Sequence, residues 1–184
     1  ERLKQELSNS EINIELVLGN EIFITNNIEE LVDSKKTSTL GESEYILFEL
    51  PLFQKLPNAI DILRNLPYSK MILAHPERYT FVQSEPELVY DLIQKGVLMQ
   101  CNYGSIIGQY GSKAQMIVRK FFENNMIHML GSDVHRQNTI YPKIPEILEE
   151  ISSIIGEEKL RELTTTNPSL VLQNKRIDIE EPHK

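Results

Sequence analysis

The sequence predicts an α/β chain built on a parallel sheet, and three observations carry that prediction. Short apolar runs alternate with amphipathic stretches along most of the chain. The runs are near-continuously apolar, as strands buried on both faces are. No internal repeat or low-complexity linker interrupts the alternation, so the chain reads as one continuous unit. An open sheet and a closed barrel both fit. A full (β/α)8 barrel usually takes about 250 residues, against 184 here.

The elements follow in order. A charged stretch at the start has helical character. Residues 12–18 form the first apolar run, and residues 21–24 extend it or make a short strand of their own. Residues 45–50, 71–74, 97–101 and 127–131 supply four more strands. Ser84 followed by Glu87 has capping-box spacing, with Leu88, Leu92 and Ile93 behind it and Gly96 as the stop. Ser112 and Gln115 repeat that spacing ahead of Ile117, Val118, Phe121 and Phe122. The stripe Ile144, Ile147, Leu148, Ile151, Ile155 predicts a helix that ends at Gly156. Asn167 with Pro168 marks another helix start. One domain over residues 1–174 and a frayed, charged tail over 175–184 are expected.

Composition excludes several classes. Nineteen basic and 27 acidic side chains leave a formal charge of −8, which speaks against nucleic-acid binding through phosphate neutralisation. No apolar run approaches the roughly 20 residues of a membrane span. A single cysteine, Cys101, forms no intramolecular disulfide and fits a reducing, cytoplasmic compartment. It also lacks the arginine six positions on that a thiolate phosphatase needs, since Ile107 stands there. GxxxxGK[ST] and GxGxxG loops are both missing.

Parallel α/β sheets gather their chemistry at the carboxyl ends of the strands. Four runs end in charged or metal-capable side chains: Glu21, Glu49, His75, and the Asp133-x-His135 pair. Taken singly, each has a bland alternative. Glu21 suits a solvated turn, His75 a backbone hydrogen bond, and Asp-x-His arises by chance. Glu49 is harder to dismiss, because a carboxylate inside an apolar run is costly unless paired or metal-bound. Together they make a site of imidazoles and carboxylates that suits Mn²⁺, Fe or Zn²⁺, in two or more ions, able to activate water and clamp a phosphoryl oxygen. Arg78 and Arg136 lie beside these ligands, where a guanidinium suits phosphate. His128, inside the last strand, reads as a core residue.

The strings MILAHPERY (71–79), VLMQCNYGSIIGQYG (97–111) and MLGSDVHR (129–136) resemble the bacterial capsule and exopolysaccharide tyrosine-protein phosphatases of the polymerase and histidinol phosphatase (PHP) superfamily. GNEIFI (19–24) and YILFELP (45–51) match the same family in the same order. The resemblance implies a distorted (β/α)7 TIM-like PHP barrel with a trinuclear site, commonly assigned Mn²⁺. It implies hydrolysis of phosphotyrosine on a protein, typically a tyrosine kinase that controls polysaccharide synthesis, and it is compatible with self-association. On the matching positions it makes Glu21, Glu49, His75, Asp133 and His135 metal ligands and Arg78 a phosphate-binding residue.

Two departures qualify it. The family's opening His-x-His, DDG-like and TPH-like strings are missing, and residue 1 is Glu. The expectation is therefore an incomplete barrel lacking its first βα units. The family also carries Asn after the SDxH histidine and an arginine a few residues on, whereas here Arg136 follows directly and the next arginine is Arg161. Two alternatives to the protein phosphatase stand: a PHP phosphoesterase acting on a small phosphate ester, and an inactive fragment with a binding role.

Overall fold

The structure, a computed structural model, describes residues 2–10, 12–24, 39–54, 70–136 and 140–183. Its centre is a five-stranded sheet with order β1-β2-β3-β4-β5, in which every neighbouring pair is parallel. The strands are β1 (Glu21–Phe23), β2 (Tyr45–Glu49), β3 (Lys70–Ala74), β4 (Leu98–Asn102) and β5 (Met129–Gly131). Each new strand adds beside the last, so the order never reverses. All carboxyl ends therefore lie along one rim. Among the described residues, β1 and β5 do not pair with each other.

Strand alternation sends side chains to two faces. Ile22, Ile46, Phe48, Leu73, Met99, Cys101 and Leu130 belong to the larger core. That core is closed by α2 (Thr80–Ser84), α3 (Glu87–Ile93), α5 (Ser112–Glu123) and α6 (Ile144–Arg161), through Val82, Val89, Phe121 and Ile147 among others. Phe121 has no solvent exposure, and truncating such a ring to Ala typically costs about 3–5 kcal/mol. The opposite face carries Tyr45, Ile72, Leu98 and Met129, covered by Val171 of α7 (Asn167–Leu172) and by Ile177. Burial on both faces explains the near-continuous apolar runs.

Four of the expected strands, and the separate short one at 21–24, form within a residue or two of their predicted limits. The first does not. Residues 12–18 have no regular structure, and Ile12, Ile14, Val17 and Leu18 are exposed. An apolar run makes a strand only where a partner edge takes its hydrogen bonds, and here the three-residue β1 takes the place beside β2.

The helix signals are right in position and wrong in chemistry. Helix α3 starts after Pro86 with no side-chain cap, while the Ser84 hydroxyl donates to Thr80 O within α2. Helix α5 starts after Gly111, and Gln115 Nε2 donates to Ile106 O. The predicted stop at Gly156 is real: its φ of 80° and ψ of 161° break α6 at that point. A π-helical turn, Glu162–Thr166, then leads into α7. The predicted frayed tail is a correction. Ile177 and Pro182 are buried, the Tyr45 hydroxyl donates to Lys175 O, and Lys159 pairs with Glu180. No helix among the described residues is long and apolar enough to cross a membrane.

Candidate metal centre

Glu49 is the last residue of β2 and alternates with Phe48, so its carboxylate leaves the larger core and faces the rim. Register places it opposite Phe23 of β1, and Glu21 stands two residues earlier on the same face. His75 follows β3 directly. Its backbone N–H donates to Gln100 O on β4, which extends the ladder one bond past the strand. Its φ of 36° and ψ of 52° then turn the chain into the 3-10 turn Pro76–Arg78. A left-handed histidine is uncommon and costs of order 1–3 kcal/mol. Asp133, beyond β5, shares the feature with a φ of 47°.

These placements bring Glu21, Glu49 and His75 together, with one ligand atom from each lying within 4.8 Å of the others. His75 Nε2 is 3.0 Å from Glu21 Oε1 and 3.4 Å from Glu49 Oε2. His75 is almost wholly buried, and its Nδ1 has no hydrogen-bond partner among the described residues. Burial raises the Glu49 carboxyl above its ordinary range, the nearby Glu21 charge raises it further, and His75 and Arg78 oppose the rise. Two carboxylates and one imidazole converge there, and the like charges strain each other. That donor set fits a divalent cation of the Mn²⁺, Fe or Zn²⁺ type.

Asp133 and His135 form a second group. Asp133 Oδ2 accepts from Arg78 Nη1 at 2.7 Å and from Asn102 Nδ2 at 2.9 Å. His135 is exposed, with Nδ1 2.9 Å from Asp133 O and 3.5 Å from Asp133 Oδ1. Asp133 is thus held by an arginine and an amide, outside the tight Glu21–Glu49–His75 group. Arg78 joins the two groups, since its charge also acts on Glu49. Arg136 lies exposed beside His135.

Three residues of the rim escape notice in the sequence. Asn102 ends β4 as Glu49 ends β2, and the same strand-end rule points to it; an amide simply draws less attention than a carboxylate. Glu77 is a fully buried carboxylate between His75 and Arg78. Its Oε1 accepts from the Asn102 backbone N–H at 3.0 Å and from the Ser105 hydroxyl at 2.6 Å. It ties the turn after β3 to the end of β4. Tyr110 sits under Arg78, with the guanidinium carbon 4.2 Å from the ring centre. Tyr79 completes the support from below: its hydroxyl donates to Ala74 O and accepts from Leu50 N–H.

Comparison with known proteins places the chain by family and by fold. The family described as "Capsular polysaccharide synthesis, CpsB/CapC" matches residues 1–173. The tyrosine-protein phosphatase YwqE of Bacillus subtilis is 30% identical over 185 aligned residues, covering 99% of this chain and 72% of YwqE. The tyrosine-protein phosphatase CpsB of Streptococcus agalactiae is 25% identical, covering 95% of this chain and 75% of CpsB. A crystal structure from a study of YwqE of Bacillus subtilis and CpsB of Streptococcus pneumoniae, described as metal-dependent tyrosine phosphatases, superimposes with a TM-score of 0.86. That match has 28% identity and covers 98% of this chain and 74% of the other.

Proposed function

The chain belongs to the CpsB/CapC family of capsular polysaccharide synthesis, and on that premise we propose that it is a metal-dependent phosphatase acting on phosphotyrosine in proteins. The observation that carries this is the meeting of Glu21, Glu49 and His75 at one strand-end rim, with Arg78 reaching across to Asp133 beside it. Glu21, Glu49 and His75 would hold a divalent cation, with Asp133 and His135 completing the ligand set, and Mn²⁺ is the ion we favour. Such cations, when bound, lower the pKa of water and polarise a phosphoryl oxygen.

The chain's own residues do the rest. The left-handed turn at His75 aims the imidazole at both carboxylates. Arg78, the last residue of the following 3-10 turn, offers a rigid fork to the phosphoryl group, and guanidinium suits phosphate by geometry as well as charge. Asn102 and Glu77 fix Asp133 and the turn. Arg136 is proposed as a second cation near the transferred phosphoryl group. The five-stranded sheet is read as part of a distorted (β/α)7 barrel of the PHP type, with a tyrosine kinase of polysaccharide synthesis as the protein substrate. A cytoplasmic location belongs to the same proposal, in keeping with the buried free thiol of Cys101.

The test is hydrolysis of a phosphotyrosine peptide by the full-length protein with Mn²⁺. Activity that EDTA removes and Mn²⁺ restores is expected. Indifference to EDTA, or hydrolysis confined to small phosphate esters, would contradict the proposal.

A further inference from the structure

We propose that Tyr110 is a positioning residue for Arg78: its ring is the fixed seat on which the guanidinium is held while the fork's open edge meets the phosphoryl group. This rests on the proposed role of Arg78 in binding phosphate.

An arginine side chain carries about 2 kcal/mol of rotamer freedom, so a fork that binds anions well must be held before the anion arrives. Arg78 has two anchors. Its Nη1 donates to Asp133 Oδ2 at 2.7 Å, and its guanidinium carbon lies 4.2 Å from the Tyr110 ring centre, well inside cation–π range. Among the described residues, Nη1 is the one guanidinium nitrogen with a hydrogen bond. Nε and Nη2, which have no hydrogen-bond partner among the described residues, are the nitrogens we assign to an incoming oxygen. The two anchors are not equivalent. Asp133 is also a proposed metal ligand, and any cation sharing its carboxylate weakens the ion pair. The ring carries no such competing duty, so it keeps Arg78 in place when the site is loaded.

The seat itself is built by the local sequence. Tyr110 closes the loop that follows the single helical turn α4 (Tyr103–Ile106). Gln109 N–H donates to Gly104 O at 2.9 Å, folding the loop back on that turn. Gly104 leaves the space the ring needs. A Cβ there would lie 3.0 Å from Tyr110 Cε2 and 2.8 Å from Gln109 Oε1. Gly111, with a φ of 95°, then turns the chain into α5. A substitution at Gly104 therefore presses on the ring and on the Gln109 side chain without altering Tyr110 or Arg78.

The experiment is steady-state kinetics on a phosphotyrosine peptide with Mn²⁺, together with inhibition by inorganic phosphate. Tyr110→Leu should raise KM and the phosphate inhibition constant about 3- to 10-fold, the scale of one cation–π contact, with kcat changed less. Tyr110→Phe keeps the ring and gives up only the hydroxyl's hydrogen bond with the Asn102 side chain, so it should recover most of both constants. Gly104→Ala should move them in the same direction as Tyr110→Leu. In an Arg78→Ala background, Tyr110→Leu should add nothing. Independently of any metal, the upfield ring-current shift of the Arg78 side-chain protons should vanish in Tyr110→Leu. An unaltered KM, an equal effect with and without Arg78, or failure of Tyr110→Phe to recover would overturn the proposal. If the unsubstituted protein hydrolyses no phosphotyrosine, the functional reading fails instead. In that case the ring-current shift, read in the metal-free protein, still decides whether Tyr110 holds Arg78.

Discussion

Replacing His128 by Gln should flatten the acid side of the protein's stability profile. His128 precedes β5 and is buried at the end of the sheet away from the rim. Its Nδ1 accepts the Met99 backbone N–H at 3.0 Å, so a proton added there would lose that bond and face another donor. Burial lowers its pKa from 6.5 to about 4, with the Lys159 charge adding to the effect. The folded-state value lies below the unfolded one, so the unfolded chain takes up the proton first. The stabilisation is complete above pH 6.5 and is lost as pH falls toward 4. Between those two pKa values linkage amounts to about 2 kcal/mol at pH 5 and about 3 kcal/mol at pH 4. Urea unfolding at pH 7.5 and pH 5 measures it. The wild-type protein should lose about 2 kcal/mol more than His128→Gln over that interval. Gln has an oxygen that can accept from Met99, so the comparison survives the substitution. Parallel losses in the two proteins, or an imidazole resonance for His128 that titrates near 6.5, would refute the reasoning.

Other outcomes follow from the same packing. Tyr79→Phe leaves the Leu50 N–H and the Ala74 carbonyl without their buried partner; thermal unfolding should show a loss of about 1–3 kcal/mol. Glu49→Gln removes a carboxylate that burial and Glu21 both disfavour. After EDTA treatment this variant should unfold at or above the wild-type urea midpoint, although it binds Mn²⁺ more weakly. Cys101 is fully buried, and burial followed by the Glu77 charge pushes its thiol well up. A thiol reagent at pH 8 should label it only as fast as the protein unfolds, and rapid labelling of the native protein would contradict that burial.

The strands β2 to β5 were legible because burial on both faces leaves a continuous apolar signature that needs no partner to be seen. Residues 12–18 carry the same signature and stay exposed, since apolar character says nothing about whether an edge is available for pairing. Strand β1 is three residues long and leaves almost no periodic signal, so residues 21–24 were legible only as one of two alternatives, the separate short strand that forms. Gly156 was legible because a positive φ after an apolar stripe is a local matter. The caps were not, because Ser84 and Gln115 found other acceptors or donors in three dimensions. At the site, Glu49 announced itself as a carboxylate in an apolar run, and His75 by its place at a strand end. Glu77 and Tyr110 gave no comparable signal. Their importance comes from contacts with Asn102, Ser105 and Arg78, and all three contacts join residues far apart in the chain.

The convergence of Glu21, Glu49 and His75 is the claim on which the functional account stands, and metal retention tests it directly. The full-length protein and its His75→Ala variant would be equilibrated with Mn²⁺, passed through a desalting column and assayed for bound metal, with circular dichroism as a check on folding. The account predicts that the wild-type protein keeps Mn²⁺ and that folded His75→Ala loses at least about 10-fold in affinity, as removal of a ligand should cost no less than removal of its supporting partners. A folded His75→Ala protein that retains Mn²⁺ as the wild type does would contradict it.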